Sequence, residues 1–198
     1  MIADAGMRII ARDGLRALTH RAVDCEAGLA QGSSSYYVPT RSALIELIVR
    51  ALAERSVAEA EEAARGLDAT LASLSSDSRD AWIKGLAAAV VSLIDAFAAR
   101  EVEMRTRYAL LLELDRADPV RAELSERSPA QQRAVAGVVR ALDRFGVSDA
   151  TARAAELVGL SEALLAHRVI LGANAAAPAP VVSAYLRGLP VTTEPRAV

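Results

Sequence analysis

Residues Thr19 to Thr40 carry punctuation that few folds can accommodate. Thr19 is a good helix N-cap, because its hydroxyl can accept a hydrogen bond from an otherwise unpaired backbone N–H. Gly28 ends the helix that follows, since glycine takes a left-handed C-terminal position without steric cost. Leu29 then acts as an apolar plug. Gln31 to Tyr37 reads as a second short helix with small hydroxyl side chains and two tyrosines. Pro39 stops that helix and Thr40 caps the next. Two short helices around a Gly-ended turn are helix-turn-helix grammar, in which the second helix enters the DNA major groove. Any helical protein can contain one such turn, so the pattern alone leaves both a DNA reader and a plain helical corner open.

The rest of the chain favours helix. Ala, Leu, Arg and Glu dominate its 198 residues, and all are good helix formers. Val is scattered without the alternation of a strand. The expected fold class is all-α, with about nine or ten helices. Expected helices cover about 2–13, 20–27, 32–37 and 41–65, then one that follows a Ser76 or Asp77 cap and runs to about Ala99. Gly66–Ser76 reads as a connection. Further helices are expected over about 101–116, from Pro119 and from Pro129 to Phe145. Another is expected over 149–172 with Ser148 as cap, and a short one after a loop at Ala173–Pro180. Prolines at first helical positions and glycines past the last ones carry these boundaries. Hydrophobic residues make up 53% and aromatics only 4%, so helices must pack through small and aliphatic side chains.

The stretch Ile2-Ala3-Asp4-Ala5-Gly6-Met7-Arg8-Ile9-Ile10-Ala11-Arg12-Asp13-Gly14-Leu15 resembles the first helix of the tetracycline-repressor (TetR) family. The similarity continues through Thr19, Ala22, Ala27-Gly28-Leu29, Gly32-Ser33, Tyr37, Pro39-Thr40-Arg41 and Ala43-Leu44, covering about residues 2–50. It departs from the pattern where Ser35 stands for a usual Tyr, Val38 for a common Phe, and Ala30 for a hydroxyl cap. The chain also begins almost at the first helix, without the basic arm that often precedes it. The resemblance implies a helix-turn-helix domain at 1–45 and a helical ligand-binding and dimerisation domain at 46–190. Residues 191–198 read as a frayed tail.

By that resemblance Thr19 and His20 contact or order the DNA backbone. Arg21 comes within reach of a phosphate or of guanine O6 and N7, and Gln31 can bond adenine bidentately. Ser33, Ser34 and Ser35 suit bases or phosphates. Tyr36 and Tyr37 offer hydroxyls to phosphates, and Tyr37 is also expected in the small core. Thr40 and Arg41, with the N-terminus of the fourth helix, form an anion site. The resemblance further implies a homodimer reading a pseudo-palindromic double-stranded operator. Val135, Val138, Val139 and Leu142 on one helix, and Ala155, Gly159 and Ala163 on the next, are the candidate interface. A small-molecule effector is expected in a pocket lined by Trp82, Phe97, Met104, Tyr108, Leu112 and His167. The scarcity of aromatics favours a small or aliphatic effector. The expected function is a ligand-released repressor, with a helical interaction module that does not bind DNA as the competing reading.

Net charge is −2 and the pI about 5.8, which argues against coating nucleic acid by charge alone. Residues 1–50 hold six arginines against five acidic residues. No CxxC, HExxH, GxSxG or Gly-rich phosphate loop is present, and the histidines are His20 and His167 alone. No enzyme activity, cofactor or metal is therefore expected. Cys25, the single cysteine, fits a reducing cytoplasm and reads as a small buried or half-buried side chain. No signal peptide is recognised, and the apolar tracts near Leu86–Ala99 and Leu157–Ala177 carry Asp95, Glu162, His167 and Arg168, short of a clean membrane span.

Overall fold

A computed structural model describes residues 1–73, 78–125 and 128–191. Among them are ten α helices, two 3-10 turns and one isolated antiparallel bridge, Val147 to Val191. The all-α expectation holds. Two compact units partition the chain: Met1–Ala58 with Arg100–Pro129, and Glu59–Ala99 with Ala130–Val198. The division falls inside the fourth helix at residue 58, beyond the expected division at 45.

The first unit holds α1 (Ile2–Asp13), a 3-10 turn (Leu15–Ala17), α2 (His20–Ala27), α3 (Ser33–Tyr37), the first part of α4 (Arg41–Ser73), α6 (Glu101–Glu113) and α7 (Pro119–Ala122). Its core collects the apolar stripes of the helices. Ala5, Met7, Ile9 and Ile10 of α1 meet Leu44, Ile48 and Leu52 of α4, with Leu18, Val23, Leu110 and Leu124. Gly6 marks a close approach of α1 to α4, since a Cβ there would lie 2.4 Å from Ile48 Cδ1. Polar bonds tie α6 to the same core. The fully buried Thr106 hydroxyl lies 2.9 Å from the Met7 carbonyl. Arg55 of α4 donates to Asp4 of α1 and, at 2.7 Å, to Glu103 of α6.

The second unit holds the rest of α4, then α5 (Arg79–Ala99), α8 (Pro129–Arg144), α9 (Ala150–Leu171) and α10 (Pro178–Arg187). Trp82, Ile83, Leu86, Ala87, Val90 and Ile94 are the buried face of α5, which packs on α9 and α10. The Trp82 ring stacks on Phe145 at 4.2 Å. By length and composition alone α5 could cross a membrane, which the shorter tract from Leu86 did not suggest.

Several boundaries differ from expectation. α4 runs through Gly66 to Ser73. One glycine in a helix costs about 1 kcal/mol against alanine, and burial of Leu67 offsets that cost. The expected Ser76 and Asp77 caps lie outside the described residues, and the Ser78 hydroxyl caps α5 by accepting from the Ala81 N–H at 3.2 Å. α6 stops at Glu113, and Leu112 is 85% exposed instead of facing inward. Ser148 is not the cap of α9. Its N–H donates to the Pro190 carbonyl beside the Val147–Val191 bridge, and Asp149 takes the N-cap place with a left-handed backbone, φ 55°. The expected loop through Pro180 is already helical from Pro178, because first-turn prolines remove N–H groups that have no intrahelical partner. The expected frayed tail, apart from Val191, lies outside the described residues.

The Gly6 contact yields a test. Gly6→Val forces a branched side chain against Ile48, which is itself fully buried. It should destabilise the protein by about 2 kcal/mol, within the range for overpacked cores, read as a lower urea midpoint at unchanged slope.

Candidate nucleic-acid interface

The helix-turn-helix forms as its punctuation dictates. The Thr19 hydroxyl accepts from the Ala22 N–H at 3.1 Å and caps α2. Gly28 ends α2 in the left-handed region, φ 65°, and the Leu29 N–H returns to the Asp24 carbonyl at 2.8 Å. The Thr40 hydroxyl accepts from the Ala43 N–H and starts α4.

The start of α3 is built differently from the sequence reading. Its N-cap is Gly32, φ 92°, which offers no side chain. The cap comes from across the turn. The buried Asp24 carboxylate of α2 accepts from the Gly32 N–H at 2.7 Å and the Ser34 N–H at 2.8 Å. Bonds from Ser34, and then from the Gly32 N–H, hold this carboxyl below the usual Asp range. Asp24 was not among the expected site residues. Its signal was an acid beside Val23 on the inward side of α2, eight residues before a helix start that lacks a hydroxyl cap.

The expected contact residues divide into two groups. Thr19, Arg21, Gln31, Tyr36, Tyr37 and Thr40 are exposed, and Ser33 and Ser35 half-buried. Tyr36 and Tyr37 are 81% and 73% exposed, their rings edge to face at 5.2 Å. Tyr37 is therefore not part of the core. The Ser35 hydroxyl donates to the Gly32 carbonyl. The other group makes hydrogen bonds within the protein itself. Ser34 is fully buried, and its hydroxyl donates to the His20 carbonyl at 3.2 Å, so it cannot meet a base. The His20 ring lies 2.6 Å from the Val38 carbonyl through Nε2. A carbonyl only accepts, so this contact requires the proton on Nε2. Arg41 donates to the Leu15 carbonyl at 2.7 Å and the Leu18 carbonyl at 3.4 Å. Its guanidinium bonds the carbonyl end of the 3-10 turn, while the side chain as a whole is exposed.

Other expectations change as well. Cys25 is exposed, because Val23 and Asp24 supply the buried side of α2. It lines a groove of about 460 Å³ with Ile9, Arg12, Asp13, Ala17, Ala22 and Glu26, none of them an expected effector contact. The six expected effector contacts fall in two units. Met104, Tyr108 and Leu112 belong to the first, and Trp82, Phe97 and His167 to the second. Met104 is fully buried and Leu112 lies at the surface. His167 is exposed, its Nδ1 accepting from the Ala176 N–H at 3.4 Å. Leu112 and His167 thus line no buried pocket. Among the interface candidates, Leu142 and Val138 are buried within the chain, Val135 and Val139 half-buried, and Ala155, Gly159 and Ala163 exposed on one face of α9.

Residues 81–190 match the family model described as tetracyclin repressor-like, C-terminal domain. The chain belongs to the TetR family. It is a DNA-binding transcriptional regulator of that all-helical class. Solved structures with the TetR fold align along nearly the whole chain. A transcriptional regulator from Rhodococcus sp. Rha1, RHA1_ro04179, is 20% identical with a TM-score of 0.68, covering 96% of this chain and 97% of its own. The multidrug binding protein EbrR complexed with malachite green is 21% identical with a TM-score of 0.63 and 96% coverage of both chains. The ketosteroid transcriptional regulator KstR2 of Mycobacterium tuberculosis is 15% identical with a TM-score of 0.58, covering 95% of this chain and 92% of its own. No curated protein matches the chain in sequence.

The acids of this TetR-family head predict its response to pH. The Met1 amino group and then Arg55 lower the Asp4 pKa to about 2. Arg8 and then Arg12 lower that of Glu26, as the Ser34 and Gly32 bonds lower that of Asp24. Each titrates lower when folded than when unfolded, so each contributes its stability fully above the ordinary values of 3.8 and 4.5. That stability is lost as pH falls through the folded values. The melting temperature should therefore stay level down to about pH 5 with respect to these groups and drop steadily below it. Asp4→Asn should flatten part of the drop.

Proposed function

We propose that this chain is a homodimeric repressor that reads a pseudo-palindromic operator in the cytoplasm and releases it on binding a small effector. The observation that carries the proposal is the tip of the first unit. There Arg21, Gln31, Tyr36 and Tyr37 stand exposed around a helix of only five residues. Arg21 makes no ion pair among the described residues, which leaves its planar fork available for guanine or phosphate. Gln31 suits adenine. Thr19, Ser33, Ser35 and Thr40 are placed to add phosphate or base contacts, and phosphate contacts orient the protein without reading sequence.

One recognition helix spans only a few base pairs, so two heads related by a two-fold axis are needed. The exposed ridge Ala155, Gly159 and Ala163 on α9 supports such a pairing. A Cβ at Gly159 would meet nothing within 4 Å. Exposed Ile170 extends the ridge seven residues on, and small side chains let helices approach closely.

Effector release is proposed by population shift: a ligand preferring the state with displaced heads weakens DNA binding, and DNA weakens ligand binding equally. α4, unbroken from Arg41 to Ser73, is the proposed lever. Trp82 and Phe97 remain the proposed effector contacts in the second unit. The buried Trp82 Nε1–H has no acceptor, which favours an effector carrying an oxygen or nitrogen acceptor. A small aliphatic body suits a chain with so few aromatics.

A selection from random duplexes should enrich a palindromic site whose binding weakens steeply with salt. Arg21→Ala and Gln31→Ala should each cost about 1–3 kcal/mol on that site, measured by fluorescence anisotropy. Failure to enrich any duplex would end the proposal. For the dimer, Ala163→Arg should yield a monomer by light scattering with its helical circular dichroism intact, while a wild-type monomer would refute the pairing. Because Trp82 is the single tryptophan, its fluorescence reports effector binding in a compound screen.

A further inference from the structure

The recognition helix cannot hold itself in place. α3 is five residues long, well below the ~12–15 residues at which an isolated helix becomes even marginal in water. No apolar side chain of α3 anchors it. Ser34 is its one buried side chain, and the flanking Leu29 and Val38 are only half-buried. Its N-cap, Gly32, has no side chain to close its amide end. Both ends are instead bonded to α2. Asp24 receives the Gly32 and Ser34 amides. The His20 ring donates to the Val38 carbonyl at the far end, and the His20 carbonyl receives the Ser34 hydroxyl. His20 and Asp24 are four residues apart and so share one face of α2. Together they form a two-point polar clip on a helix whose only apolar tie is the half-buried Val38 just past its end, which packs on the core.

We propose that His20 and Asp24 are positioning residues that set operator specificity without touching DNA. The proposal rests on the DNA-reading role argued above. Phosphate neutralisation tolerates a loose helix, because it depends on charge near the backbone. Bonds to base edges do not, because they depend on donor and acceptor geometry. Breaking the clip should therefore erase discrimination between sites while leaving the number of phosphate contacts unchanged.

The full-length wild type is compared with Asp24→Asn, His20→Ala and His20→Gln on the enriched operator and on a scrambled duplex, across a salt series. Amide hydrogen exchange is measured on the same proteins without DNA. Asp24→Asn and His20→Ala should lower the operator-to-scrambled affinity ratio by about tenfold or more, as one or more misread base pairs would. Their salt slopes should match the wild type. His20→Gln, whose side-chain amide can donate where Nε2 does, should retain most of the ratio. The Gly32 and Ser34 amides should exchange faster in Asp24→Asn while α1 keeps its protection. A salt slope lower by about 1 with an unchanged ratio would make His20 a direct phosphate ligand and overturn the proposal. So would an unchanged ratio with unchanged exchange, or loss of protection throughout α1, which would mean general support of the fold. If the wild type enriches no duplex, the DNA-reading role fails and the specificity role with it. The exchange data still report whether the clip holds α3.

Discussion

A single carboxylate at the opening of a one-turn helix is the interaction on which the reading surface depends. Asp24 closes an amide end that Gly32 leaves open. Without those bonds, the first N–H groups of α3 would need water or a ligand, and the helix would lack a defined start. The exposed residues Gln31, Tyr36 and Tyr37 inherit their placement from this arrangement. The polar, half-buried character of the helix-turn-helix is therefore part of how it is built. Its outward face is left free of the apolar side chains that would otherwise anchor it.

The same unit shows how a small domain gains a core. Residues before 58 supply most of the apolar stripe, but Leu110 and Leu124 complete it from a segment some fifty residues further along. Thr106 and Glu103 add polar ties from α6 to α1 and α4. A stretch the size of the helix-turn-helix alone buries too small a fraction of its surface to be robust, and borrowed helices supply the remainder. The side chains that position the head thus include residues of α6 that never approach the reading surface.

Local signals were legible wherever the chemistry was local. Thr19, Gly28 and Thr40 act as caps and stops because a hydroxyl or a missing Cβ does its work within four residues. What failed was decided by partners distant in sequence. Ser34 read as a base contact and is buried because Asp24 and the His20 carbonyl claim it. Ser148 read as a cap, but pairing with Pro190 moved that role to Asp149. Leu112 read as a pocket residue and faces outward because α6 is turned with Met104, Thr106 and Leu110 toward the core.

The sequence alone determined that this chain is helical, where its reading head lies and which residues punctuate it. Those properties follow from propensity, capping and steric rules acting between near neighbours. Only the tertiary structure decided which polar side chains face outward and which are bonded within the head. A hydrogen bond between His20 and Val38, or between Asp24 and Gly32, exists only once the turn has brought two helices together. The type of a serine or an arginine does not say whether its partner is a phosphate or a carbonyl of its own chain.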